Sequence, residues 1–282
     1  MILRSELKKI ARITGRNLFQ AEKIYLQRLV LRSLYSKYDP VFKGGTALMV
    51  GWNLPRFSED LDFTYYPTTK KSSSTPNKRV RPSDFARVFS KIQKLVMKDL
   101  EVLGIPSRIG KEEITEVGGT FRLGMQGPLY ENEKSRCFIR IEMSIREPII
   151  VKPLYKYVQS DFPDIMPFGV SFMHPQEIFA EKVRALMTRH RPRDLFDLWF
   201  LLTFNKKTMD ITFNEALVQA KLDYYHVSWS KSKFFEEIKS LEPIWETQLR
   251  TIIFGQLPKF QDVYGVVEKR MIENHGGNVK NE

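Results

Sequence analysis

The sequence predicts an α+β protein, in which a mixed β-sheet core with flanking helices is followed by a helical C-terminal region. Three observations lead there. Short segments at 60–65, 120–125 and 136–146 have the residue types and alternation of strands. Residues 83–103 carry Phe85, Val88, Phe89, Ile92, Leu95 and Val96 at the i, i+3, i+4 spacing of an amphipathic helix. From Pro175 onward the chain reads as nearly all helix.

Taken in order, residues 1–38 read as helical, with Leu18, Ile24, Leu26, Leu29 and Leu31 spread among Lys and Arg, until Asp39-Pro40 stops the helix. Val41-Phe-Lys-Gly-Gly-Thr46 reads as a strand end, a glycine turn and a helix start. Such a turn aims backbone N–H groups and the positive helix end at an anion, or else marks only a tight connection. Residues 69–82 hold five basic residues and no acid among Ser, Thr and Pro, the texture of a mobile loop. That insert is either a solvated surface excursion or a phosphate-contacting arm.

Composition narrows the function classes. At 282 residues the chain is long enough for one large domain or two moderate ones. A net charge of +12 raises the prior for a polyanionic partner such as RNA. No apolar run approaches the ~20 residues of a membrane span, and the first residues are not signal-like, so a cytoplasmic location without membrane contact is expected. The lone Cys137 excludes an internal disulfide and a thiolate zinc site. His174, His190, His226 and His275 lack metal-ligand spacing and read as surface, cap or core residues.

The chemistry concentrates in Asp60-Leu-Asp62-Phe-Thr-Tyr65, where a strand period of two places Asp60, Asp62 and Thr64 on one face. Burying an unpaired carboxylate costs several kcal/mol, so this pair calls for a cation, most simply a divalent metal. In residues 138–145 the polar Arg140, Glu142 and Ser144 alternate with Ile139, Ile141, Met143 and Ile145. Glu142 is then either a third carboxylate beside Asp60 and Asp62, holding one or two Mg²⁺ ions, or an exposed residue paired with Arg140 or Arg146. Farther on, Lys182 sits in an apolar arc with Phe179, Val183 and Leu186, where it either meets an anion or snorkels to solvent. Asp194 and Asp197 share one side of the next helix, and Asp194 is also placed to complement the helix dipole.

Two motifs together carry a family resemblance. Gly44-Gly45-Thr46 followed by Arg56-x-Ser58-x-Asp60-Leu-Asp62-Phe63, and then Ala180-Glu-Lys182-Val-Arg-Ala-Leu186 followed by Arg189-x-x-x-Arg193-Asp194-Leu-Phe-Asp197-Leu-Trp199, resemble the AbiEii/AbiGii toxins of the DNA polymerase beta-like nucleotidyltransferase superfamily. The two motifs span about residues 41–202, and residues 1–38 and those beyond about 210 match no motif; the expected organisation is an N-terminal helical segment at 1–38 packing on a nucleotidyltransferase core at 39–165 with the insert at 69–82, followed by a helical domain at 166–282 completing the active-site cleft. It implies that Asp60 and Asp62 bind metal, that Gly44, Gly45 and Thr46 bind phosphate, and that Lys182 and Asp194 belong to the site. Ser58 matches a serine that is a target of inhibitory phosphorylation in some relatives, and Arg56 is a further candidate phosphate contact. The implied activity is Mg²⁺-dependent transfer of a nucleoside monophosphate from an NTP, most plausibly to the 3′ end of tRNA, in a toxin-antitoxin or phage-defence system with a cognate antitoxin. The same site also suits a kinase-like phosphotransferase, and a non-catalytic RNA- or antitoxin-binding module is the third reading.

Overall fold

The computed structural model describes residues 1–66, 80–203 and 211–273. Of the expected basic insert, residues 69–79 lie outside the described residues, as does His275. The described chain divides into two compact units, the first formed by Met1–Asn53, Phe57–Ile149 and Pro153–Met173, the second by Leu54–Arg56, Ile150–Lys152 and His174 onward.

The first unit opens with α1 (Arg4–Ile13) and α2 (Leu18–Tyr35). The single helical segment expected over 1–38 is thus two helices, because Gly15 adopts a positive φ of 65° and Asn17 caps the second helix by accepting from the Gln20 amide at 2.9 Å. Next come β1 (Val41–Lys43), α3 (Gly44–Trp52), β2 (Leu61–Thr64) and α4 (Pro82–Val102). Pro82 occupies the first turn of α4, where a missing N–H costs nothing. The remaining strands are β3 (Ser107–Thr115), β4 (Gly118–Met125), β5 (Cys137–Ser144), β6 (Leu154–Val158) and β7 (Phe168–Phe172).

These strands form one mixed seven-stranded sheet in the order β3-β4-β5-β2-β1-β7-β6, in which β2 runs parallel to β5 and β1 parallel to β7. Period-two alternation divides its faces. On one face Phe42, Phe63, Leu61, Ile139, Ile141, Met143, Phe121 and Leu123 are buried, and α4 adds Phe85, Phe89 and Ile92. Aromatic rings tie helix to sheet: Phe89 stacks on Phe85 at 5.2 Å and meets Phe121 edge-on at 5.3 Å. Gly119 permits this approach, since a Cβ there would lie 2.8 Å from the Phe89 ring. The opposite face carries Asp62, Glu142 and Thr120 in one register row.

The second unit is helical, with α5 (Pro175–Thr188), α6 (Pro192–Thr203), α7 (Glu215–Leu222), α8 (Lys231–Lys239), α9 (Trp245–Leu249) and α10 (Phe260–Glu273). It has its own core, in which Phe179, Val183, Leu195, Phe196, Phe234, Ile238, Trp245, Val263 and Val267 are buried. His174 is a cap, its Nδ1 accepting from the Gln176 amide at 3.1 Å. Buried Glu177 accepts from Lys221 at 2.6 Å and from the amides of Ile150 and Val151, which draws residues 150–152 into this unit. Among the described residues no helix is long and apolar enough to cross a membrane.

Phe89→Ala removes the ring on which α4 rests against β4. The expected cost is about 3–5 kcal/mol, read as a lower urea midpoint with the unfolding slope unchanged.

Candidate active site

The aspartate pair is positioned by α2 and α3. Thr46, buried in the first turns of α3, donates its hydroxyl to the Asp60 carbonyl, and its oxygen lies 2.8 Å from the Ser58 hydroxyl. From α2, Gln27 donates its amide to the carbonyls of Ser58 and Glu59 at 3.0 and 2.8 Å, and Lys23 pairs with Glu59. Residues 58–60 are therefore held from two helices before the chain enters β2. Thr46 does its work through a structural tie, and its side-chain oxygen is engaged inside the fold.

Register completes the arrangement. Lys43 pairs with Asp62 across β1 and β2, which sets the Asp62 side chain against the turn that opens α3. Gly44 there has φ of +77°, and a Cβ on it would lie 2.6 Å from the Asp62 Oδ2. The N-cap residue Lys43 makes no side-chain cap hydrogen bond, and the first turn of α3, with its positive helix end, lies beside the carboxylate. Asp60 and Asp62 are both half-exposed, while Leu61 and Phe63 between and after them are buried. Two details differ from the sequence expectation. Asp60 immediately precedes β2, and Thr64, expected on the binding face with the aspartates, is buried.

Glu142 is in register with Asp62 on the neighbouring strand β5, and its carboxylate accepts from Arg140 Nη2 at 2.8 Å. Among the described residues no group of three His, Cys, Asp or Glu side chains is assembled to hold a metal, so the expected three-carboxylate cluster is not formed in this conformation. The physical reason is local: on an open strand face a cationic neighbour two residues away is the cheapest partner for a glutamate.

The second unit contains a different kind of charged cluster. Arg56 grips Asp197 with Nε and Nη2, both at 2.6 Å. Lys182 Nζ lies 2.8 Å from Asp194 Oδ1 and 2.6 Å from Asp197 Oδ2, while Arg189 forks onto Asp194 at 2.8 and 3.0 Å. Relative exposure is 2% for Arg56, 6% for Lys182 and zero for both aspartates, so these groups see one another and little water. Burial by itself would raise the pKa of Asp194, but Lys182 and Arg189 hold it below the usual carboxylate range. Burial likewise works against Asp197, and Arg56 and Lys182 depress it. For Arg56, burial lowers the pKa and the charge of Asp197 more than restores it. The Lys182 ammonium therefore meets anions, as one of the two sequence readings required, and the anions are protein carboxylates.

Sequence reasoning did not find Gln27, Lys23 or Glu59 as positioning residues, nor Asp197 as the hub of the buried cluster. A signal existed for the first group: Lys23 and Gln27 are polar residues four apart in a helix otherwise rich in Leu, Ile and Val.

The family model described as "Nucleotidyl transferase AbiEii toxin, Type IV TA system" matches residues 25–266. The chain belongs to this family. It is accordingly a nucleotidyltransferase of the toxin-antitoxin class. No curated protein matches the sequence. Among solved structures, the nucleotidyltransferase toxin MenT4 from Mycobacterium tuberculosis H37Rv is similar over 99% of this chain and 91% of its own, with a TM-score of 0.62 and 16% identity. JHP933 from Helicobacter pylori is similar over 92% of this chain and 96% of its own, with a TM-score of 0.55 and 19% identity. At these identities the likeness establishes the shared fold, and the family match carries the enzyme class.

Two outcomes are expected. Gly44→Ala strains a left-handed backbone position and presses a methyl onto Asp62, so transferase activity should fall far more than the melting temperature. Asp197→Asn leaves Arg56 and Lys182 without a shared anion and should cost about 3–5 kcal/mol. Because both aspartates have depressed folded-state pKa values, their contribution is complete above about pH 4 and is lost as pH falls below it. Urea midpoints measured between pH 6 and 3 should therefore drop less steeply for Asp197→Asn than for the parent protein.

Proposed function

We propose that this protein is a Mg²⁺-dependent toxin that transfers a nucleoside monophosphate from an NTP to the 3′ end of an RNA of the tRNA class, in the cytoplasm and under the control of a cognate antitoxin. The observation that carries the reading is the meeting of the Asp62 carboxylate with the glycine turn at the start of α3. Two aspartates one residue apart suit a divalent cation, and the adjacent amides suit an anion. Metal and triphosphate together satisfy both.

The donor set fits a hard divalent ion, because Asp60 and Asp62 offer only oxygen and are half-exposed. Asp60 and Asp62 would hold Mg²⁺, which when bound supplies Lewis-acid stabilisation of charge on the reacting phosphate. The amides of Gly44, Gly45 and Thr46 bind the triphosphate and orient it for in-line attack. The acceptor's 3′ oxygen forms a bond to the α-phosphorus as the bond from that phosphorus to the α–β bridging oxygen breaks, and pyrophosphate leaves. Glu142, once released from Arg140, would take the hydroxyl proton, a role its register beside Asp62 supports. Lys182, Asp194 and Arg56 serve in this scheme as a charge-matched brace of the second unit, their polar atoms being engaged with one another or with Asp197.

Incubation with Mg²⁺, total RNA and each NTP labelled at the α-phosphate should place label in RNA. Asp60→Ala should lower that incorporation on the order of 10³-fold while the melting temperature changes little. Label arriving from the γ-phosphate instead would identify a kinase, and activity surviving in Asp60→Ala would overturn the site.

A further inference from the structure

The sheet face that carries Asp62 is banded by charge. Register sets Glu113, Thr120, Glu142 and Asp62 in one row across β3, β4, β5 and β2. Two residues along, the next row holds Arg122 directly opposite Arg140. The row beyond that holds Arg108, Gly124 and Phe138. An acidic row is thus followed by a basic band on the same surface.

The band has a built character. The Arg122 guanidinium lies over the Phe138 ring at 4.9 Å, and Arg136, just before β5, lies over Tyr130 at 5.2 Å. A Cβ on Gly124 would lie 2.7 Å from the Phe138 ring and 2.9 Å from the Arg136 side chain, so this glycine lets both settle onto the strand. Among the described residues, carboxylates answer part of the charge: Glu142 takes Arg140, while Glu133 is shared by Arg108 at 2.9 Å and Arg136 at 2.5 Å. Arg108, Arg122 and Arg140 are all exposed. Like charges directly opposite on an open strand pair destabilise the sheet. A polyanion laid across Arg122 and Arg140 reverses the sign of that interaction.

We propose that this band is the seat of the acceptor's phosphodiester backbone, a single-stranded RNA segment running from Arg108 past Arg122 and Arg140 to place its 3′ end at the Asp62 row. The inference rests on the nucleotidyl-transfer reading and locates the second substrate within it. Sheet order makes the two substrates compatible. The triphosphate turn follows β1, on one side of β2, whereas the basic band begins on β5, on the other side. Donor and acceptor then meet over Asp62 from opposite directions. The Arg122 guanidinium over the Phe138 ring offers N–H groups to phosphate, and Phe138 and Tyr130 add aromatic surface of the kind on which bases stack. An acidic protein partner would use the charge but not the rings.

The test pairs RNA and nucleotide binding in the full-length protein carrying Arg108→Gln and Arg122→Gln, neither of which touches Glu142 or the aspartates. Affinity for a fluorescent single-stranded RNA oligonucleotide, measured across a salt series, should fall about 3- to 10-fold, and the slope of log K against log salt should shrink by about 1. Affinity for a fluorescent NTP analogue should stay at the parent value, which also shows that the fold is intact. Arg108→Lys with Arg122→Lys should keep most of the salt slope. Unchanged RNA affinity and slope in the glutamine pair would overturn the proposal, as would an equal loss of NTP affinity or competition by poly-glutamate as strong as by RNA at equal charge. If α-label enters RNA and the variant's KM for RNA is unchanged, the band is wrong and the transferase reading stands. If the band binds RNA but no label enters it, the reverse holds.

Discussion

The site depends on one close approach, that of the Asp62 carboxylate to the α-carbon of Gly44. It is set by backbone pairing, because Lys43 opposite Asp62 leaves the next residue no room for a side chain. It also ties together three pieces of sequence that have little else in common: a strand that alternates, a turn that needs a positive φ, and a helix whose N-cap residue makes no side-chain cap hydrogen bond. Thr46 and Gln27 then keep Asp60 beside that point by holding the backbone on its N-terminal side. Burial of Leu61 and Phe63 anchors β2 from beneath, so Asp62 stands on the strand itself and Asp60 at its entry.

The chain handles charge in two contrasting ways. In the first unit, acids and bases lie on an open sheet face, half-exposed and sorted into rows, where the field of each group extends into solvent and to whatever binds there. In the second unit, Arg56, Lys182, Arg189, Asp194 and Asp197 consume one another's hydrogen-bonding capacity within a few ångströms. The magnitudes decide their roles. Removing one member of a buried pair costs several kcal/mol, whereas exposed pairs such as Arg140 with Glu142 are worth under about 1 kcal/mol and part readily for a ligand.

Legibility in the sequence followed the same divide. Asp60 and Asp62 stand out because carboxylates interleaved with Leu and Phe have few structural excuses, and alternation in 138–145 places Glu142 on the matching face before any pairing is known. The α4 stripe is equally plain. By contrast β3 is exposed along most of its length, so its residues show no inward-outward pattern, and β6 and β7 are five-residue strands that leave little signal. The break between α1 and α2 was signalled only by Gly15 and Asn17 in a segment whose periodicity continues on both sides. That Lys182 needs an anion is a local inference. Which anion it meets depends on how α5 packs on α6, and the Arg56–Asp197 pairing that completes the cluster joins residues far apart in sequence.

The buried quartet of Arg56, Lys182, Asp194 and Asp197, with exposed Arg189 at its edge, constrains change in the second unit. Each cation there answers a carboxylate that also answers another cation, so no member can change alone without stranding a charge in a dry environment. Asp60 and Asp62 stand half-exposed, with water still in reach. A change at either aspartate is therefore expected to cost activity before it costs the fold, the reverse of a change in the buried cluster.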